Sequence, residues 1–231
     1  HIEELRNTLI KCFTSVIVIF PFAFYISPKI LDGFIKILIG KNNITLNFFS
    51  PMEVFVVQIK LSLLVSFILA FPYIAKKIWD YIVPALYENE RKTISGLTIT
   101  STILFVLGSL FCLFMILPLI INFGMSFSGG NINAMFGVSN IINLALGLIF
   151  VFGLMFQIPL AVNFLIKWQV LRIEEIAYFR PYVIVGLLII CAVLTPPDII
   201  SQILLFVPTY TLFEAGILFS KFNKRGKNER L

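Results

Sequence analysis

Six apolar stretches, parted by polar gaps that hold most of the charges, run along the chain: Cys12 to Ile26, Val54 to Ala75, Ile94 to Ile121, Ile141 to Ile166, Tyr182 to Leu194 and Ile199 to Phe219. Such runs read as membrane-crossing helices and predict an all-α polytopic membrane protein with six transmembrane helices. The fifth stretch, YVIVGLLIICAVL, is ~20 Å long at helical rise, against a hydrocarbon core of ~30 Å. In the TPPD that follows, Pro196 and Pro197 forbid helix continuation and Asp198 can cap the next helix, so stretches five and six are expected to pair as a short hairpin. Prolines 21, 72, 118, 159 and 208 fall within or near the ends of the helices and should bend them into a concave bundle. Between Ser27 and Ser50, LDGFIKILI has the mixture expected of a short amphipathic helix lying along the interface.

Composition agrees with a bilayer protein. Of 231 residues, 59% are hydrophobic and 13% charged, with 25 phenylalanines, which excludes a soluble domain of ordinary usage. The charges then orient the spans. Arg6, Lys11, Lys76, Lys77, Arg91, Lys92, Lys167, Arg172, Arg180 and the basic tail share one side, against Lys29, Lys36 and Lys41 on the other. The positive-inside rule therefore puts both termini in the cytoplasm. Residues 1–220 are read as the six-span domain and 221–231 as a basic cytoplasmic tail. The basic excess is spent on topology and points to no nucleic acid. HIEELRNTL does not read as a cleavable signal peptide, so the first apolar run is expected to remain as an anchor.

Polar groups inside hydrocarbon are costly and therefore mark function. Lys60 lies about two turns beyond Glu53, which shares its face, but the rise of ~10 Å rules out direct pairing without a mediator. Lys60 is otherwise expected to snorkel outward. Gln157 sits mid-span beside Pro159, where its amide suits a hydrogen bond to a neighbouring helix or a freed carbonyl. Glu214 returns to the cytoplasmic border, ~24 Å along the helix from Asp198, and is a candidate for the lining of a cytoplasmic cavity. Trp79, Tyr81 and Tyr87 read as interfacial anchors. Cys12, Cys112 and Cys191 have no partner at metal or redox spacing and read as small buried hydrophobes. No metal, cofactor or catalytic group is expected.

In order along the chain, HIEELRNTL, SPMEVFVVQIKLSLL, FPYIAKKIWDYIVPALYENERK, FRPYVIVG and LTPPDIISQILLFVPTYTLFEAGI resemble the TatC family, the C subunit of the twin-arginine protein translocase. Pro51, Glu53 and Phe55 lie in the second element, Trp79, Pro84 and Leu86 in the third, and Pro196, Pro197 and Asp198 in the last. The resemblance implies a receptor in the cytoplasmic membrane for signal peptides with paired arginines, exporting folded proteins with the proton-motive force. It implies an arginine-binding patch made by Glu4, with Arg6 in the same element, and Glu90 of the first cytoplasmic loop. Glu3 and Glu88 lie outside the shared pattern. A guanidinium fork matches a carboxylate better than an ammonium does, which suits such a patch.

The resemblance also implies single-span partners of the TatA and TatB types and several receptor copies. Their expected docking surface is the apolar outside of stretches five and six, with Gln157, Glu214 and Lys60 as cavity or partner contacts. Where the family often has a mid-span glutamate, this chain has Gln157, which cannot titrate. The family usually has residues before this histidine, so the sequence is expected to lack part of its N-terminus. Of the other readings, a small-solute secondary transporter would rest on Lys60 and Gln157 alone. An intramembrane hydrolase has no H-E-x-x-H or G-x-S-x-G element to stand on.

Overall fold

The computed structural model describes residues 2–39, 46–47, 50–82, 91–126, 136–168, 173–194 and 199–228. In chain order the helices are α1 (Ile2–Ile39), α2 (Pro51–Ile82), α3 (Arg91–Phe111), a π turn (Cys112–Ile116), α4 (Leu117–Ser126), α5 (Val138–Met155), α6 (Ile158–Lys167), α7 (Ile173–Leu194) and α8 (Ile199–Asn228). They resolve into four long apolar spans, Glu3–Ile37, Met52–Ile82, Ile94–Ser126 and Val138–Ile166, and two shorter apolar helices, Tyr178–Val193 and Leu205–Leu218. The six-helix reading and the short last pair are thus both present. The TPPD between that pair, with Pro196, Pro197 and Asp198, lies outside the described residues.

Local chemistry explains the two interrupted spans. Proline lacks an N–H, and its ring clashes with the carbonyl four residues back. Ahead of Pro118 the chain widens into the π turn, where the Leu117 N–H reaches the Cys112 carbonyl. Ahead of Pro159 it breaks: Gln157 N–H turns back to the Leu154 carbonyl at 2.9 Å, and α6 restarts with proline in its first turn, the place where a missing N–H costs nothing. Pro21, Pro28, Pro72, Pro181 and Pro208 stay inside continuous helices.

Two expectations are corrected. LDGFIKILI is not a separate interfacial helix: α1 runs unbroken from Ile2 to Ile39, because Leu31 and Phe34 are buried in the main core with Val57 and Val138 and hold its last turns in line. Trp79 is not an interfacial anchor. It is buried, packs on Phe164 and gives its indole N–H to Ser101 Oγ at 2.9 Å, satisfying the one polar atom that would otherwise favour the interface.

α1 and α2 form an antiparallel hairpin, with Phe24 against Phe55 at one end. α2, α3 and α5 pack around stacked Phe71 and Phe105, centroids 3.9 Å apart, with Phe67 meeting Phe150 alongside. α6, α7 and α8 pack around Val162, Phe213 and Ile217. The connections α1–α2 and α4–α5 are joined by a two-residue parallel ladder, Leu46–Asn47 on Phe136–Gly137.

Candidate functional site

Among the described residues, Glu53, Lys60, Gln157 and Glu214 fall into three sets of contacts. The first is a chain of hydrogen bonds between α2 and α5. Glu53 Oε1 accepts the Ser139 backbone N–H at 3.1 Å, Asn143 Nδ2 donates to Ser139 Oγ at 3.0 Å, and Lys60 Nζ donates to Asn143 Oδ1 at 3.0 Å. The gap between Glu53 and Lys60 is bridged by two uncharged residues of another helix, and Lys60, exposed on α2, reaches the Asn143 amide. Sequence reasoning missed Asn143, although an amide near the start of an apolar run was itself the signal.

The second set spans the break in the fourth span. Gln157 Nε2 donates to the Ser101 carbonyl at 3.0 Å, while Ser101 Oγ accepts from Trp79. One residue of α3 therefore ties α2 to the α5–α6 break. The third set joins α7 to α8: Arg180 Nη2 donates to Glu214 Oε2 at 2.9 Å, Arg180 Nε lies 2.9 Å from Glu214 Oε1 off the line of a good hydrogen bond, and Tyr210 Oη donates to Oε1 at 2.8 Å. These partners hold Glu214 on α8 against α7, with its side chain half-buried.

Glu4 and Arg6 are exposed in the first turns of α1. Glu90, Pro84 and Leu86 lie outside the described residues, and α3 begins at Arg91, directly after Glu90. Phe55 is exposed on α2, and Pro51 opens that helix after Ser50, the preferred place for proline. A groove of about 700 Å³ lies between α1, α2 and α5, with Lys60 and Asn143 among its walls. Among the described residues no group of histidine, cysteine and carboxylate side chains has the arrangement of a metal site.

The profile of the family described as Sec-independent protein translocase protein (TatC) matches residues 1–208. The chain belongs to the TatC family. It is 35% identical over 227 residues to the TatC of Escherichia coli O6:H1, covering 96% of this chain and 87% of that one. It is 34% identical over 232 residues to the TatC of Aquifex aeolicus, covering 99% and 96%. A crystal structure of a twin-arginine translocase receptor, TatC, superposes with a TM-score of 0.88 at 32% identity, covering 96% of this chain and 98% of that one. As a TatC, the chain is a multi-pass membrane subunit of the Sec-independent, twin-arginine translocase and works in a complex with other Tat subunits.

Proposed function

We propose that this chain is the signal-peptide receptor of its translocase. It sits in the cytoplasmic membrane with both termini in the cytoplasm, and Glu4 and Glu90 take the two arginines. The observation that carries the reading is the exposed Glu4 in the first turn of α1, within the H-x-x-E-L-R element. The fork-to-fork match of a carboxylate with a guanidinium selects arginine over lysine. Arg6 belongs to the same element of α1 as Glu4. Support for the orientation comes from the basic residues that gather on the terminal side.

The fold is too small to enclose a folded cargo, so export needs TatA- and TatB-type single-span subunits and several copies of this chain, driven by the proton-motive force. Because Gln157 holds its amide on the Ser101 carbonyl, it acts in the packing of the bundle, and as an amide it takes up and releases no proton.

The test is binding of a twin-arginine signal peptide to the detergent-purified protein, comparing wild type, Glu4→Ala, Glu90→Ala and a twin-lysine peptide. Loss of at least about tenfold in each of the three, the worth of a charge-assisted contact, supports the patch. Equal binding throughout overturns it.

A further inference from the structure

The groove between α1, α2 and α5 has one polar end and an apolar length. Its walls run along α2 from Lys60 to Ile74, ~21 Å at helical rise. Lys60 and Asn143 stand at one end, and beyond them the walls are carried by Leu63, Phe67, Leu146 and Phe150. Spread over that length, the 700 Å³ gives a mean cross-section of ~33 Å², against ~80 Å² for a helix ~10 Å across. Two hydrocarbon chains, each ~16 Å² at a carbon contact distance of ~4 Å, match it.

Depth decides which part of a lipid meets which wall. The apolar run of the second span begins at Val54, so Lys60 is rooted ~9 Å inside the border of the hydrocarbon. Its Cα–Cβ bond tilts toward the start of α2, and a lysine stem of ~6 Å carries the ammonium back to roughly 3 Å from that border. This is the border opposite the N-terminus, because α1 and α2 are antiparallel. From there the ~21 Å of groove exceeds the ~15 Å of one leaflet, so chains hung from a headgroup at Lys60 are walled to their ends.

The charge names the headgroup. Lys60 is exposed, and Asn143 Oδ1 takes one of the three donors of its ammonium. A neutral amide fixes the cation without neutralising it. Asn143 is in turn held by Ser139, and Ser139 by Glu53, so the ammonium is set in place before any ligand arrives. A phosphodiester is the anion that the bilayer itself holds near this level, and lipid surrounds the groove as its solvent. A choline head brings a second cation beside Lys60, whereas a glycerol head leaves the phosphate charge alone.

We propose that this groove is a binding site for one phospholipid of the leaflet opposite the N-terminus, with its phosphate on Lys60 and its two chains along α2 and α5, and that Lys60 makes the site prefer a head of net negative charge. The site uses neither Glu4 nor Glu90 and so stands apart from the receptor reading.

The test is native mass spectrometry of the purified full chain, titrated in detergent with dioleoyl phosphatidylglycerol, dioleoyl phosphatidylcholine or dioleoylglycerol, which lacks the phosphate. Wild type is expected to hold one phosphatidylglycerol about three- to tenfold more tightly than one phosphatidylcholine, the worth of one lysine against an anionic head, and the diacylglycerol least. Lys60→Met should erase that difference and Lys60→Arg should keep it. Gly147 lines the groove, and a Cβ added there meets no atom within 4 Å. Gly147→Leu should therefore weaken both phospholipids while the thermal midpoint of the lipid-free chain stays near wild type. Saturating phosphatidylglycerol should raise the midpoint of wild type and leave that of Lys60→Met unmoved.

Equal retention of the two phospholipids by wild type would mean annular lipid only and overturn the proposal, as would a preference that survives Lys60→Met or binding indifferent to Gly147→Leu. Displacement of the bound lipid by an equimolar transmembrane peptide of about 20 Leu and Ala residues would assign the groove to a helix and overturn it as well. Glu4→Ala should leave every lipid affinity unchanged, which separates this test from that of the receptor reading.

Discussion

At the scale of single residues, Ser101 does more than its size suggests. Its hydroxyl satisfies the Trp79 indole and its backbone carbonyl receives the Gln157 amide, so three helical segments meet on one small residue. Ser101→Ala leaves the buried indole N–H without its acceptor. It is expected to cost about 1–3 kcal/mol, read as a lower thermal midpoint in detergent. Gln157→Glu sets a carboxylate against that carbonyl in place of a donor and should also lower the midpoint at neutral pH; an unchanged midpoint would mean that the amide is not donating. Legibility in the sequence divides along the same line. Lys60, Gln157 and Glu214 stand out because charges and amides are rare in apolar runs, whereas Asn143, the Ser101 carbonyl and Arg180, which they meet, come from distant stretches that spacing along one helix cannot reveal; Tyr210, four residues before Glu214, is the exception.

At the scale of elements, the span count was legible because hydrophobic length decides it, but of the five prolines expected to bend helices only Pro118 and Pro159 accompany an interruption, while Pro21, Pro72 and Pro208 lie in unbroken helices. The form of each interruption was not legible, since a π turn and a full break are alternative answers to the same missing N–H. Helix contacts were equally hidden, because they rest on absent atoms. A Cβ at Gly108 would lie 2.7 Å from the Phe152 carbonyl, and one at Gly216 would lie 2.7 Å from Pro159 Cα. Gly108→Ala is therefore expected to destabilise the α3–α5 contact by about 1–3 kcal/mol. In contrast, Gly147→Ala should be neutral or stabilising by up to about 1 kcal/mol, the helix-propensity gain alone. Paired melts of the two variants check this, and a Gly108→Ala protein as stable as wild type would contradict the close approach. Arg180 and Glu214 fasten the short last pair, so Arg180→Ala should speed amide exchange in α8, with Arg180→Lys recovering only part of the loss because the fork is gone.

At the scale of the whole molecule, the basic residues of one side predict that a cysteine placed at Asn228 is shielded from an impermeant thiol reagent on intact cells and that one at Ser126 is labelled, in a background lacking the native cysteines. The reverse pattern would invert the topology. The transporter reading gives way to the translocase family, because the groups it relied on are engaged in holding helices together. The same ties have a consequence for biogenesis. Lys60 precedes Asn143 by 83 residues, so at ~5–20 residues per second of synthesis the second span waits roughly 4–17 s before its hydrogen-bond acceptor has been made. During that interval the insertion machinery must shelter a charged span from lipid. Swapping Lys60 for methionine should let the nascent chain enter the bilayer earlier, at a shorter arrested length.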